Sequence, residues 1–229
     1  MKILKGILAL LPLAITAAVM PFMPEMVPVH YNIDGSVDRM GSRYELLLMP
    51  LLIILIVAVS AFVMRHYEKR AEGPETDSDA AAARRNIRSL KIMSLAVPAV
   101  FGALQLWILY MTYRNAKADT VRVNSELMVR VAVILIGLLC IVFGYLMPKT
   151  GRNNMFGFRV SWSLYNDNTW RRCNRLGGFV IAGIGLLTIV TAAVAPATAG
   201  VFCLLGYLFA GTVVLLIYSY KVYKEEIGG

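Results

Sequence analysis

Only two histidines occur in the chain, His30 and His66, and they stand among different neighbours. His30 belongs to the run Met23-Pro24-Glu25-Met26-Val27-Pro28-Val29-His30-Tyr31-Asn32-Ile33-Asp34-Gly35-Ser36-Val37-Asp38, where Asn32, Asp34 and Asp38 offer oxygen ligands as part of a calcium loop would. The register fails, because a twelve-residue loop starting at His30 has His in its first position and Gly41 where a bidentate Glu is required. His30 with Met23, Met26 and Met40 could hold a soft metal. A tight turn at Asp34-Gly35, with prolines keeping the approach extended, accounts for the same residues without a ligand. The functional alternative is a ligand-facing surface made of Pro28, His30, Asn32, Asp34 and Gly35, on which His30, Asn32 and Asp34 present the polar groups.

A second run, Pro148 to Trp170, interleaves basic, amide and aromatic side chains. Its candidates are Arg152, Asn153, Phe156, Gly157, Arg159, Trp162, Asn166 and Trp170, with Arg175 a little further on. Such a mixture suits the water-to-lipid interface, where amphipathic rings settle and Arg meets phosphate. Aromatic and Arg side chains also alternate on RNA surfaces, but a short loop tied to two membrane helices is a poor place for one, so no direct nucleic-acid partner is expected. The density of Gly, Asn, Arg and aromatic residues exceeds what an anchor needs. It predicts a docking or packing site in which Arg159 bonds to backbone or Asn acceptors, in a folded cap over the flanking helices. Asn166 or Asn168 can cap a helix running through Arg171 and Arg175.

No other chemistry presents itself. The chain lacks H-E-x-x-H, G-x-S-x-G and G-x-x-x-x-G-K-[ST]. Cys140, Cys173 and Cys203 have no metal-ligand spacing, and two of them lie in apolar runs, which predicts reduced thiols without a disulfide framework. The expectation is a protein that is not an enzyme and uses no metal or cofactor.

The elements that position these two runs follow from composition. Of 229 residues, 58% are hydrophobic and 16% charged, against roughly a quarter charged in an ordinary soluble domain. At about twenty apolar residues per spanning helix, the chain has room for six spans and no separate soluble catalytic domain. They read as Ile7 to Phe22, Leu46 to Met64, Ile92 to Met111, Val129 to Met147, Gly177 to Ala195 and Val201 to Tyr218. Spans of this kind must be helices, because a lipid-facing strand edge leaves backbone groups unpaired. The fold class is therefore an all-α polytopic membrane protein of about six transmembrane helices. Lys2 and Lys5 before the first run, and Thr16-Ala17-Ala18 near its end, also fit a secretory signal peptide; an uncleaved anchor is the expected form, and either reading puts residue 25 outside.

The formal charge of +9 reflects the cytoplasmic gathering of Lys and Arg. With both termini in the cytoplasm, 17 of the 23 Lys and Arg residues fall inside and six, Arg39, Arg43, Arg114, Lys117, Arg122 and Arg130, fall outside. That split sets the expected orientation and puts His30 and His66 on opposite sides. Residues 1–64 then form an N-terminal two-helix module with an outer loop, 65–91 a cytoplasmic linker, and 92–229 a four-helix region with a cytoplasmic loop at 148–176. Residues 72–79 have the composition of a mobile acidic linker, and Ala80 to Lys91 that of a helix extension feeding the third span. Gly178 with Ala182, and Gly206 with Ala210, predict close packing of spans five and six as a hairpin.

The run Pro28-x-His30-Tyr31-Asn32-x-x-Gly35 after a first helix resembles the DUF1648 module. Gly151-Arg152-Asn153 through Phe156-Gly157-Phe158-Arg159, Trp162, Asn166, Trp170 and Arg175 resembles the characteristic region of the SdpI immunity-protein family. The resemblance implies a multi-pass protein of the bacterial plasma membrane. It further implies immunity to a secreted antimicrobial peptide toxin met outside, signalling by drawing a repressor protein to the membrane inside, and membrane lipid as the remaining partner. A small transporter or lipid-handling protein with the outer loop as lid is the alternative, and a purely structural assembly factor a third.

Overall fold

The computed structural model describes residues 1–32, 36–74, 77–117, 125–153 and 155–228. Among the described residues are six helices: α1 (Lys2–Val19), α2 (Leu48–Ala71), α3 (Ser78–Lys117), α4 (Ser125–Leu146), α5 (Asp167–Val194) and α6 (Ala197–Gly228). All six belong to segments long and apolar enough to cross a membrane. Phe62, Phe179 and Phe209 expose 74%, 68% and 74% of their surface, as suits side chains whose solvent is hydrocarbon rather than water.

Several helices run past the apolar segments that define them. α3 begins at Ser78 and absorbs Ala80 to Lys91, where four consecutive alanines and three arginines favour helix. α2 continues to Ala71, so the stretch expected as a linker over 65–91 is helical at both ends. Arginines hold the adjoining ends of α2 and α3. Arg84 Nη1 donates to the Ala71 and Gly73 carbonyls at 2.7 and 3.3 Å, and Arg70 pairs with Asp79 at 3.0 Å. A guanidinium on the last carbonyls of α2 satisfies groups that the helix itself cannot. Glu75 and Thr76 of the acidic run lie outside the described residues.

α1 and α3 pass through Pro12 and Pro98 without ending. They meet where Gly102 faces the Pro12 ring, and they share a buried polar network. Gln105, 1% exposed, donates through Nε2 to Thr16 Oγ1 and to the Leu46 carbonyl, both at 3.0 Å. Thr16 in turn donates to the Pro12 carbonyl at 2.7 Å. One amide thus ties α1, α3 and the turn preceding α2, and in hydrocarbon an unpaired amide there would be strongly disfavoured. Arg130 does similar work at the start of α4: its Nη1 donates to the Ala192 and Ala193 carbonyls of α5 at 2.7 and 2.8 Å.

The small-residue seam lies elsewhere than the spacing predicts. Gly178 and Ala182 face α4, where a Cβ on Gly144 would stand 2.5 Å from both the Ala182 nitrogen and the Gly178 oxygen. One helical heptad away, a Cβ on Gly185 would stand 2.5 Å from the Gly137 oxygen. The tightest backbone approach is therefore between α4 and α5. α5 and α6 also pack, through Gly211 against Ile184 and Val180, whereas a Cβ on Gly206 would meet nothing within 4 Å.

The all-α fold includes one small antiparallel pair among the described residues, a hairpin of β1 (Met26–Tyr31) and β2 (Val37–Ser42). Its register is irregular between Pro28 and His30 and between His30 and Tyr31, as expected beside a proline that cannot donate to the ladder. Val27 is fully buried and anchors the hairpin in a core with Met23, Leu46 and Leu109, against Ile15, Val19 and Tyr113. Arg43 closes its base through Nη1 to the Met23 carbonyl at 3.0 Å.

Gly144→Ala should lower the thermal unfolding midpoint of the detergent-solubilised protein, because its methyl group meets backbone that cannot move aside; overpacking of this kind costs about 1–3 kcal/mol. Gly206→Ala should leave that midpoint unchanged or raise it.

Candidate functional site

The two candidate runs lie at opposite ends of the bundle. The hairpin packs on the C-terminal part of α3 near Leu109, and the 148–166 segment on its N-terminal part at Asn86. The 23 residues between them span about 35 Å of helix.

Among its described residues the 148–166 segment has two short 3-10 turns, Met147–Lys149 and Ser161–Leu164, and is otherwise irregular. Its backbone groups must find partners outside a regular ladder, and side chains supply them. Asn153 uses both ends of its amide. Its Oδ1 accepts from the Met155 and Phe156 nitrogens at 2.8 and 2.7 Å, and its Nδ2 donates to the Gly151 and Phe156 carbonyls at 2.8 and 3.0 Å. Ser163 accepts from the Val160 nitrogen and lies 3.0 Å from the Phe158 carbonyl. Arg152 Nη1 donates to the Leu164 and Tyr165 carbonyls at 3.1 and 3.3 Å, and its Nε lies 3.3 Å from Asp167.

α5 supplies the floor. Asn166 caps it reciprocally: its Oδ1 accepts from the Thr169 nitrogen at 2.8 Å, and its own nitrogen donates to Thr169 Oγ1 at 3.1 Å. Trp170, 1% exposed, donates from Nε1 to the Thr150 carbonyl at 3.0 Å. One turn on, Asn174 accepts at Oδ1 from the Phe158 nitrogen and donates to the Trp170 carbonyl. Gly157 lies between them at φ 117, a conformation that disfavours a side chain, and a Cβ there would collide with Asn174 and the Trp170 ring. Phe156 stacks edge-on with Phe143 of α4.

The cap also reaches α3 and α6. The Gly151 nitrogen donates to Asn86 Oδ1 at 3.0 Å. Trp162 donates from Nε1 to Ser219 Oγ at 2.7 Å and stands edge-on to Tyr220. Asn166 Nδ2 donates to Glu226 at 2.8 Å, and Asn168 bonds the same carboxylate. Arg172 pairs with Glu225 at 2.7 Å.

Arg152, Asn153, Phe156, Gly157, Trp162, Asn166 and Trp170 are therefore brought into one folded unit. Arg159 is not: it is exposed and makes no side-chain hydrogen bond among the described residues. The carbonyl contacts expected of Arg159 are made by Arg152. Arg175 is exposed as well. The buried partners Asn86, Ser163, Asn174 and Ser219 are hydrogen-bonding members of the cap that the sequence reading missed. Their one local signal is a polar residue on an otherwise apolar helix face, which Asn86, Asn174 and Ser219 all show.

At the hairpin end, His30 Nδ1 lies 2.6 Å from Asp38, and Asn32 Nδ2 donates to Ser36 Oγ at 3.0 Å. Pro28 pairs across the ladder with Met40, while Asp34 and Gly35 lie outside the described residues. Met23 is buried in the hairpin core; Met26 and Met40 are exposed. Arg39 pairs with Glu45 at 2.8 Å. Burial pushes the Tyr31 phenol up, and the Thr112 hydroxyl offsets part of the shift. Beneath the hairpin is a cavity of about 490 Å³ with an apolar floor from Leu48, Leu52, Leu104 and Val129, and with His30, Arg39 and Glu45 among its lining residues.

Asn174→Ala should cost about 1–3 kcal/mol by leaving the Phe158 nitrogen buried and unpaired, and Asn153→Ala should cost a similar amount. Arg159→Lys should be silent. Thermal unfolding of purified variants reads all three.

Residues 7–54 match the family model of DUF1648, a domain of unknown function, and residues 149–219 match that of the SdpI/YfhL protein family. The first match covers α1, the hairpin and the start of α2; the second covers the cap, α5 and most of α6. No curated protein and no solved structure matches the chain. The chain thus carries a region similar to DUF1648 and a region similar to the SdpI/YfhL protein family, on six helices long and apolar enough to cross a membrane.

Proposed function

We propose that this protein is a non-enzymatic immunity protein of the bacterial plasma membrane that protects its cell from a secreted antimicrobial peptide toxin. The observation that carries the reading is the SdpI/YfhL match over residues 149–219, because it coincides with the cap and the helices that hold it. In the orientation favoured by the Lys and Arg distribution, both termini and the cap are cytoplasmic and the hairpin faces outward. The hairpin is then the surface that meets the toxin, with Pro28, His30 and Asn32 on it and Asp34 and Gly35 in the same run. Its exposed side presents polar groups on a frame fixed by Val27, so contact with a peptide would need little ordering of the hairpin. The cap is the surface available to a cytoplasmic repressor, which would be drawn to the membrane when toxin is bound outside.

One observation favours a second reading. The cavity beneath the hairpin, about 490 Å³ with an apolar floor, is of the size and character that takes small apolar ligands, as a transporter or lipid-handling protein would require.

Deleting the gene and challenging cells with secreted antimicrobial peptides separates the two. The immunity reading expects sensitivity to at least one peptide, restored to resistance by the wild-type protein. A variant with His30, Asn32 and Asp34 all replaced by Ala should reach the membrane at normal levels and fail to protect. Unchanged resistance in the deletion strain to every peptide tested would contradict the reading.

A further inference from the structure

A second cavity, of about 450 Å³, lies at the capped end and is partly open to solvent. Three pieces of chain build it. From α3 come Asp79, Ala82, Ala83 and Asn86, whose i, i+3, i+4, i+7 spacing puts them on one face; the two alanines leave the room that larger side chains would fill. The last turns of α2 contribute His66 and Arg70, and the cap contributes Arg152 and Asn153. The lining holds two guanidinium groups and one carboxylate, and a second carboxylate, Asp167, stands behind Arg152 at 3.3 Å.

Asn86 is the most buried polar residue of the lining. The side chain is 3% exposed. Its Oδ1 is identified by the bond it accepts from the Gly151 nitrogen, which leaves Nδ2 as the other end. That Nδ2 is buried without a hydrogen-bond partner, and buried donors of this kind are rare in folded proteins. Arg152 adds a second donor to the lining: Nη1 is bonded to cap carbonyls and Nε faces Asp167, while Nη2 makes no hydrogen bond among the described residues. Arg70 is held by Asp79 at 3.0 Å on an exposed edge, a pair that is easily exchanged for a better acceptor.

We propose that this cavity binds a phosphate-bearing ligand. A carboxylate offers two oxygens in one plane, whereas the donors here stand on three separate elements, Arg70 on α2, Asn86 on α3 and Arg152 in the cap. A tetrahedral phosphoryl group offers acceptors toward all three, and Arg is suited to it by its planar fork. The first turns of α3 add the partial positive charge of a helix N-terminus. The ligand can be a lipid headgroup or a soluble phosphate, since the recognised chemistry is the same. The inference does not depend on the toxin reading.

The test uses the full-length protein in nanodiscs. In phosphatidylcholine discs, inorganic phosphate and glycerol 3-phosphate are titrated by calorimetry. In discs containing phosphatidylglycerol, retention of that lipid after detergent extraction is read by native mass spectrometry. Saturable binding of a soluble phosphate identifies a free ligand; retention of phosphatidylglycerol without soluble binding identifies a headgroup. In either arm Asn86→Asp should weaken binding at least tenfold, because it keeps the acceptor for Gly151 and replaces the free donor with a negative charge. Asp79→Asn should tighten binding several-fold by releasing Arg70. Absence of binding in both arms overturns the proposal, as does unchanged binding by a folded Asn86→Asp variant. If that variant does not fold, failure of Asp79→Asn to tighten binding overturns it instead.

Discussion

An irregular stretch of backbone at the end of an apolar helix bundle must have its N–H and C=O groups paired, and few of the residues around it can do so. Residues 148–166 meet that requirement with amide and hydroxyl side chains. Asn153 closes the loop on itself, Ser163 ties the turn at Val160 to Phe158, and Asn174 reaches up from α5 to the Phe158 nitrogen. Each of these side chains is in turn fixed by the helix or turn that carries it. The cap therefore exists only when α5 starts at Asn166 and when Trp170 and Asn174 face inward, which makes the fold of the loop and the placement of the helices one problem.

The helices are held by the same logic applied to different atoms. α4 and α5 approach through Gly137, Gly144, Gly178 and Gly185, where backbone meets backbone. Close approach at these positions brings Met147 and Pro148 against Gly177 and Gly178, at the point where the cap begins. At the other end Gln105 joins α1, α3 and the turn before α2, and Val27 pins the hairpin to the same helices. Each end of the bundle is thus closed by one polar centre and one apolar anchor: Asn174 and Trp170 below the cap, Gln105 and Val27 below the hairpin. Phosphate chemistry in the capped-end cavity and peptide contact at the hairpin would then act on opposite ends of α3, a single helix that passes through both.

The spans were legible because hydrophobic runs of the right length have one stable form in lipid, and the Asn166 cap because Asn before Thr169 is a strong local signal. What the sequence could not convey is partnership. Gly178 and Ala182 announce a close approach without saying to which helix, and the partner proved to be α4. Arg152 and Arg159 are alike in type and neighbourhood, yet only Arg152 lies near the Leu164 and Tyr165 carbonyls and Asp167. Asn174 and Ser219 are buried polar residues of α5 and α6, and the donors they accept from are 16 and 57 residues away in the chain. Pro28 interrupts the alternation that marks a strand, so β1 does not announce itself in the sequence.

The central claim is that residues 148–166 form a rigid, hydrogen-bonded cap rather than a loop resting on the membrane surface. Hydrogen–deuterium exchange of the full-length protein in nanodiscs tests it most directly, because the claim names individual amides. The account predicts that the Gly151, Phe156 and Phe158 amides exchange as slowly as those in the first turns of α5, and that Asn174→Ala accelerates Phe158 selectively. Exchange of all three amides at the rate of an unprotected peptide would contradict it.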